Sequence, residues 1–272
     1  MNASYLNPAN PIGVFDSGVG GLSVLREIRR ELPHEDLIYV ADSGFAPYGD
    51  RPSELVASRA MAIAGFLLDQ PVKAIVIACN TATGVAARSL RDQFTLPIIA
   101  MEPAVKPAVA CTRSGVVGVL ATSQTLAGHG FRQLLERLGG GVRILAQPCP
   151  GLVERIEAGD LTGAGTRTLV DRYVSPLLAQ GADTIVLGCT HYPHVTPLIE
   201  ELAGPRALVL DSGAAVARQV KRRLAESGLL RVGPEVGAVR FWTSGEPRST
   251  TRIMTRFWTS PIDVSPLPVR DG

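Results

Sequence analysis

TIVLGCTHYP, residues 184–193, and its counterpart AIVIACNTAT, residues 74–83, decide how this chain is read. Each opens with a short apolar run rich in β-branched residues, the composition of a strand buried on both faces. Each then breaks at once into small and polar residues, as a strand does where it runs out into a loop and the next helix begins. A cysteine stands immediately past each run: Cys189 after TIVLG and Cys79 after AIVIA.

Similar runs recur along the chain, as PIGVF, LIYVA, LPIIA, GVVGVL, VRILA and ALVL. Between them lie segments at helical spacing. In GGLSVLREIRREL, residues 20–32, Leu22, Leu25, Ile28 and Leu32 share one face. Strand and helix alternate throughout, and the strands are too uniformly apolar for a sheet with one wet face. The pattern predicts an α/β protein whose mainly parallel sheets are flanked by helices. A weak internal repeat adds to this. IGVFDSG at 12–18 resembles VGVLATS at 117–123, an offset of 105 residues, while Cys79 and Cys189 stand 110 apart. Two similar α/β domains are expected, residues 1–101 plus 212–272 and residues 102–211, with the active site in the cleft between them.

The chain has 272 residues, 46% of them hydrophobic and 19% charged, which excludes disordered and fibrous classes. Net charge is +2, and the densest basic patch, RQVKRR at 218–223, falls on an amphipathic helical pattern and reads as a solvated face. No nucleic-acid partner is expected. No stretch approaches the ~18 apolar residues of a membrane span, and MNASYLNPAN lacks the basic-then-apolar order of a leader, so no membrane partner and a cytoplasmic location are expected. Four dispersed cysteines without a CxxC indicate neither a zinc site nor a disulfide framework.

FDSGVGGLSV, residues 15–24, places Asp16 and Ser17 before Gly18, Gly20 and Gly21 at a helix start. As a nucleotide loop it fails: Ser23 occupies the place of the third glycine, and the P-loop lysine is missing. Such glycines let backbone approach a small ligand, and Asp16 suits an ammonium group; the alternative is a tight turn with an aspartate cap. In YVADSGFAPYGDR, residues 39–51, Asp42 and Asp50 read as caps, and Tyr48 beside Gly49 as a ligand contact through ring or backbone N–H.

Cys79 and Cys189 are both followed by groups able to bind a carboxylate, Asn80, Thr81 and Thr83 in one case and Thr190 and His191 in the other. Cys111, in a helical run without such neighbours, reads as a small buried apolar residue, and Cys149, between two prolines, as part of a loop. One cysteine with one histidine would point to a hydrolase. Two equivalent cysteines suit proton removal from one face of a chiral carbon and delivery to the other. CTHYPH does not carry a zinc-ligand spacing. None of Lys73, Lys106 and Lys221 stands at a strand end fit for a pyridoxal Schiff base, so a cofactor-free route is favoured.

FDSGVGGLSV, APYG, ACNTAT, LGCTHYP and the later DSG at 211–213 resemble, in order and spacing, the glutamate racemases, cofactor-independent enzymes that make D-glutamate for bacterial peptidoglycan. The resemblance implies Cys79 and Cys189 as the acid/base pair, supported by Asp16 on one side and by His191 and Glu157 on the other. It implies Asp16, Ser17, Tyr48, Gly49, Asn80, Thr81, Thr190 and His191 as substrate contacts, glutamate as the small-molecule substrate, no cofactor or metal, and a homodimer. Thr122 and Thr125 lie in a threonine-bearing loop that the family uses, without a choice between them. Where many members read GDTARVPYG, this chain reads ADSGFAPYG, which puts Phe45 at a commonly polar place. A racemase for another acidic substrate such as aspartate, and a binding protein akin to regulators of DNA gyrase, are the competing readings.

Overall fold

A computed structural model describes residues 6–138 and 140–268. Among the described residues ten strands form two sheets: β1 (Ile12–Asp16), β2 (Leu37–Ala41), β3 (Ala74–Ile77), β4 (Ile98–Ala100), β5 (Val116–Ala121), β6 (Arg143–Pro148), β7 (Thr184–Leu187), β8 (Leu208–Leu210), β9 (Val239–Thr243) and β10 (Val264–Pro266). One sheet runs β10-β9-β2-β1-β3-β4 and the other β6-β5-β7-β8. Neighbours pair in parallel throughout, in registers such as Ile12 with Leu37 and Val117 with Thr184. The expected α/β class with parallel, helix-flanked sheets is the class observed. Every residue of β1, β2, β3 and β7 is buried, which is why these runs read as continuously apolar, whereas β6 at a sheet edge has no fully buried residue.

The order β2-β1-β3-β4 in the first sheet matches β6-β5-β7-β8 in the second. β5 is therefore the counterpart of β1, and β7 of β3. The sequence repeat has this structural meaning: IGVFD forms β1, VGVLA lies in β5, and the two cysteines follow equivalent strands. β9 and β10 extend the first sheet beyond β2. Helix Leu22–Glu31 buries Leu22, Leu25 and Ile28 and packs against helix Gly213–Glu226, which turns Val216, Ala217, Val220 and Leu224 inward. Lys221 on that second helix pairs with Glu31, while Arg222 and Arg223 face Glu226 in solvent.

The carboxyl ends of the strands collect the polar motifs. Ser17 follows β1, Asp42 follows β2, Thr122 follows β5, Cys149 follows β6, and Cys79 and Cys189 stand two residues beyond β3 and β7. In parallel sheets this is the edge at which helices begin and ligands bind. Among the described residues no helix is long and apolar enough to cross a membrane, and no group of three or more His, Cys, Asp or Glu side chains is placed to hold a metal ion.

Candidate active site

Between the two sheets lies a narrow cleft, and both Cys79 and Cys189 line it. Ser17, Asn80 and Thr81 reach it from the first sheet's strand ends, Thr122, Thr125, Gly188, Thr190 and His191 from the second's, and Pro47, Tyr48 and Gly49 from the loop after β2. Both cysteines are free thiols. The topology brings them to one cleft because each sheet contributes its own equivalent strand end.

Cys79 is the N-cap of helix Asn80–Gln93, where its sulfur accepts from the Ala82 N–H at 3.5 Å. Burial, and next the Asp16 carboxyl group, push this thiol well above its ordinary value, against the helix N–H. Asp16 is fully buried and sits behind Ser17, outside the lining of the cleft. Its carboxylate accepts from the Gly21 N–H at 2.7 Å and from Thr190 Oγ1 at 3.4 Å. Burial raises its pKa too, opposed by His191 and by the N–H donors.

Cys189 faces different chemistry. Its sulfur lies 3.7 Å from His191 Nδ1, and His191 Nε2 lies 2.6 Å from Glu157 Oε1. Glu157 also accepts from the Val19 N–H at 2.8 Å, so the glycine loop, the helix Leu152–Glu157 and the second cysteine motif are tied together. Burial works against a charge on His191, but the hydrogen bonds to Cys189 and Glu157 outweigh it and raise its pKa well above the ordinary value. One thiol thus stands near a buried carboxyl group and the other beside a histidine whose charged form its partners favour.

The glycines of residues 18–21 serve the side chains of the site. A Cβ on Gly20 would stand 2.3 Å from His191 Nδ1, one on Gly18 1.9 Å from Glu157 Oε1, and one on Gly21 2.7 Å from the Asp16 Cβ. Close approach to a ligand was the expected reason for them; the room they leave is filled by the site's own acid and base partners.

Two further residues differ from their sequence-based reading. Asp42 stands at the N-cap position of the turn Ser43–Phe45 but its side chain does not cap it: it accepts from the Tyr48 hydroxyl at 2.5 Å and from Arg59 at 2.7 and 3.0 Å. Tyr48, a lining residue of the cleft, therefore spends its hydroxyl on Asp42. Cys111 ends helix Val105–Cys111 and is exposed rather than buried, because that helix turns Val105 and Ala108 inward instead. The DSG at 211–213 lies away from the cleft; Asp211 accepts from Gly213 N and Ser212 donates to the Glu102 carbonyl, fastening the start of helix Gly213–Glu226. His194, close in sequence to His191, bonds the Gly20 carbonyl and stacks on Phe257 with ring centres 3.9 Å apart. Its pKa falls to about 3 through burial and the neighbouring His191, so it is a neutral packing group.

Thr122 and Thr125 both reach the cleft, bonded to each other at 2.9 Å and to Thr81 at 3.0 and 3.2 Å. Their convergence spans two sheets, and no local spacing encodes it. The buried Asn80 amide has no hydrogen-bond partner on either its oxygen or its nitrogen among the described residues. A buried amide left in this way points to a polar ligand as its partner.

Residues 12–220 match the family described as Asp/Glu/hydantoin racemase. A protein named glutamate racemase from Pseudomonas paraeruginosa is 55% identical over 260 residues, covering 95% of this chain and 98% of that one. A glutamate racemase isoform from Bacillus anthracis superimposes with a TM-score of 0.86 at 30% identity, covering 97% of this chain and 99% of that one. A glutamate racemase from Francisella tularensis in complex with D-glutamate gives 0.82 at 28% identity, covering 95% and 98%.

Proposed function

Since the chain belongs to the Asp/Glu/hydantoin racemase family, we propose that it interconverts L- and D-glutamate without a cofactor, with Cys79 and Cys189 as the two acid/base groups. The observation that carries the reading is the pair of free thiols lining one narrow cleft from equivalent strand ends of the two sheets. We assign residues 1–101 plus 212–272 and residues 102–211 as the two domains that meet there.

Glutamate lies with its α-carbon between the sulfurs. Its carboxylates take hydrogen bonds from the Asn80 amide, from the hydroxyls of Ser17, Thr81 and Thr190, and from backbone N–H groups at Tyr48 and Gly49. Asp16 balances the ammonium charge and Cys79 from behind Ser17, while Glu157 fixes the imidazolium of His191 against Cys189. One sulfur, as thiolate, takes the α-proton and becomes a thiol. The electron pair is left as a planar carbanion stabilised by the bound α-carboxylate. The opposite thiol then gives its proton to the other face and becomes the thiolate. Donors held in a buried cleft act more strongly on this developing charge than they would in water. The product supplies D-glutamate for peptidoglycan in the cytoplasm, and the working form is a homodimer.

Racemisation in D₂O tests the mechanism. Solvent deuterium enters the newly formed enantiomer early while remaining substrate stays largely unlabelled; comparable early labelling of both enantiomers would mean a single base. Cys79→Ala and Cys189→Ala each abolish turnover, and a normal rate in either removes that residue from the role. Turnover of aspartate but not glutamate would replace the substrate.

A further inference from the structure

The cleft wall made by Pro47, Tyr48 and Gly49 belongs to a segment with little regular structure of its own. Residues 43–50 form two single turns, Ser43–Phe45 and Tyr48–Asp50, neither with a side-chain cap. Two hydrogen-bonded turns do not hold a segment in place. The Gly44 N–H donates to Ser244 Oγ at 3.1 Å and Arg51 donates to the Phe45 carbonyl at 3.2 Å, but the side chains of both turns are gathered by one charge pair. Asp42, fully buried, stands just past β2 and is tied to the neighbouring strand by its N–H to the Asp16 carbonyl at 2.9 Å. Arg59, on helix Ser53–Asp69, grips that carboxylate in two-pronged fashion. Tyr48, 1% exposed, donates its hydroxyl to the same carboxylate. On its other side the Arg59 guanidinium lies over the Phe45 ring, 4.0 Å from the centroid. Phe45 and Tyr48, one in each turn, thus converge on a single ion pair. Gln124, on helix Ser123–Ala127, reaches the same region, its amide within 3.0 Å of the Ser53 hydroxyl.

We propose that Arg59 is a positioning residue for substrate binding: by locking Asp42, Tyr48 and Phe45 together it holds the Tyr48–Gly49 backbone where a substrate carboxylate meets it. Phe45 is then part of the device, its ring replacing a polar partner with a face for the guanidinium. A planar two-pronged cation is required for this, and lysine cannot substitute. The inference rests on the racemase reading for its substrate but not for its structural half.

Two measurements on the full-length protein test it. In Arg59→Ala, KM for either enantiomer of glutamate rises about tenfold, as for loss of one preorganised contact, while kcat changes by less than about threefold. Arg59→Lys gives a similar rise, and millimolar guanidinium lowers the KM of Arg59→Ala toward the wild-type value. Hydrogen exchange followed by mass spectrometry shows the peptide spanning residues 43–52 exchanging faster in Arg59→Ala, with other peptides unchanged. Wild-type KM together with wild-type exchange overturns the proposal, and so does a fall in kcat at constant KM, which would place Arg59 in the chemistry. If wild-type protein fails to turn over glutamate, the functional reading falls, and the exchange measurement alone decides the role of Arg59. If Arg59→Ala does not fold, Tyr48→Phe removes one hydroxyl and keeps the ion pair; a KM-selective loss supports the device and an unchanged KM refutes it.

Discussion

Gly20→Ala adds a single methyl group at the place where three parts of the chain meet. The new Cβ stands 2.3 Å from His191 Nδ1 and 2.6 Å from its Cγ and Cε1, where ordinary contact begins near 3.4 Å. His191 must retreat by about 1 Å. It has nowhere easy to go, being 1% exposed and held by Glu157 at 2.6 Å. The backbone at Gly20 is not left-handed, so the cost is collision and not strain. Overpacking of this kind costs about 1–3 kcal/mol. At roughly 2–4 °C per kcal/mol for a chain of this length, Tm falls by about 2–12 °C. The effect on catalysis is larger. A retreat of this size stretches the 3.7 Å contact between Cys189 and His191 beyond bonding, and a misplacement of about 1 Å costs about a hundredfold in turnover. The assay is racemisation followed by circular dichroism from each enantiomer, beside a thermal melt. Because enantiomers have equal free energy, kcat/KM must fall by the same factor from either side. A Gly20→Ala protein with wild-type kcat and wild-type Tm would refute the claim that this glycine exists to make room for the His191–Glu157 pair.

Gly84→Ala is the opposite case: in helix Asn80–Gln93 its Cβ meets no atom within 4 Å, so stability rises by about 0.5–1 kcal/mol in denaturant titration with activity unchanged. Glu157→Gln removes the anion that helps to keep His191 protonated. The raised pKa of His191 gives stability that is complete below about pH 6.5 and is lost as pH climbs through the folded-state value. Melts at several pH values should therefore show the gap between wild type and Glu157→Gln narrowing at alkaline pH, and the alkaline limb of kcat/KM should move to lower pH; coincident profiles would count against the pairing. Asp183 lies remote from the cleft, and burial opposes its charge, but donation from Thr112, the Arg113 and Ser114 N–H groups and Thr184 wins and depresses its pKa. That stability is present above about pH 3.9 and lost as pH falls, so Asp183→Asn should melt lower at neutral pH and approach wild type in acid.

Much of the architecture was written locally. A parallel strand buried on both faces must be apolar along its length, so runs such as AIVIA and TIVLG declare themselves, and helices such as Leu22–Glu31 declare themselves by a 3.6-residue period. The two halves repeat the same strand order, and the repeat survives as a resemblance between IGVFDSG and VGVLATS. The cysteines were conspicuous for the same reason: each interrupts a strand-to-helix junction, where chemistry in parallel sheets is placed.

What the tertiary structure alone decided is which side chains meet across those junctions. Val19 and Glu157 are 138 residues apart and share a hydrogen bond of 2.8 Å; Thr81 and Thr125 are 44 apart and bond at 3.2 Å. Asp42 looked like a cap because its local sequence is that of a cap, yet its partners Tyr48 and Arg59 are chosen by how a helix lies on the sheet. The glycines of residues 18–21 announced a close approach without naming what approaches. Strand and helix periods are properties of consecutive residues and are legible in their order. Contacts between sheets depend on the packing of surfaces that no short stretch of sequence contains.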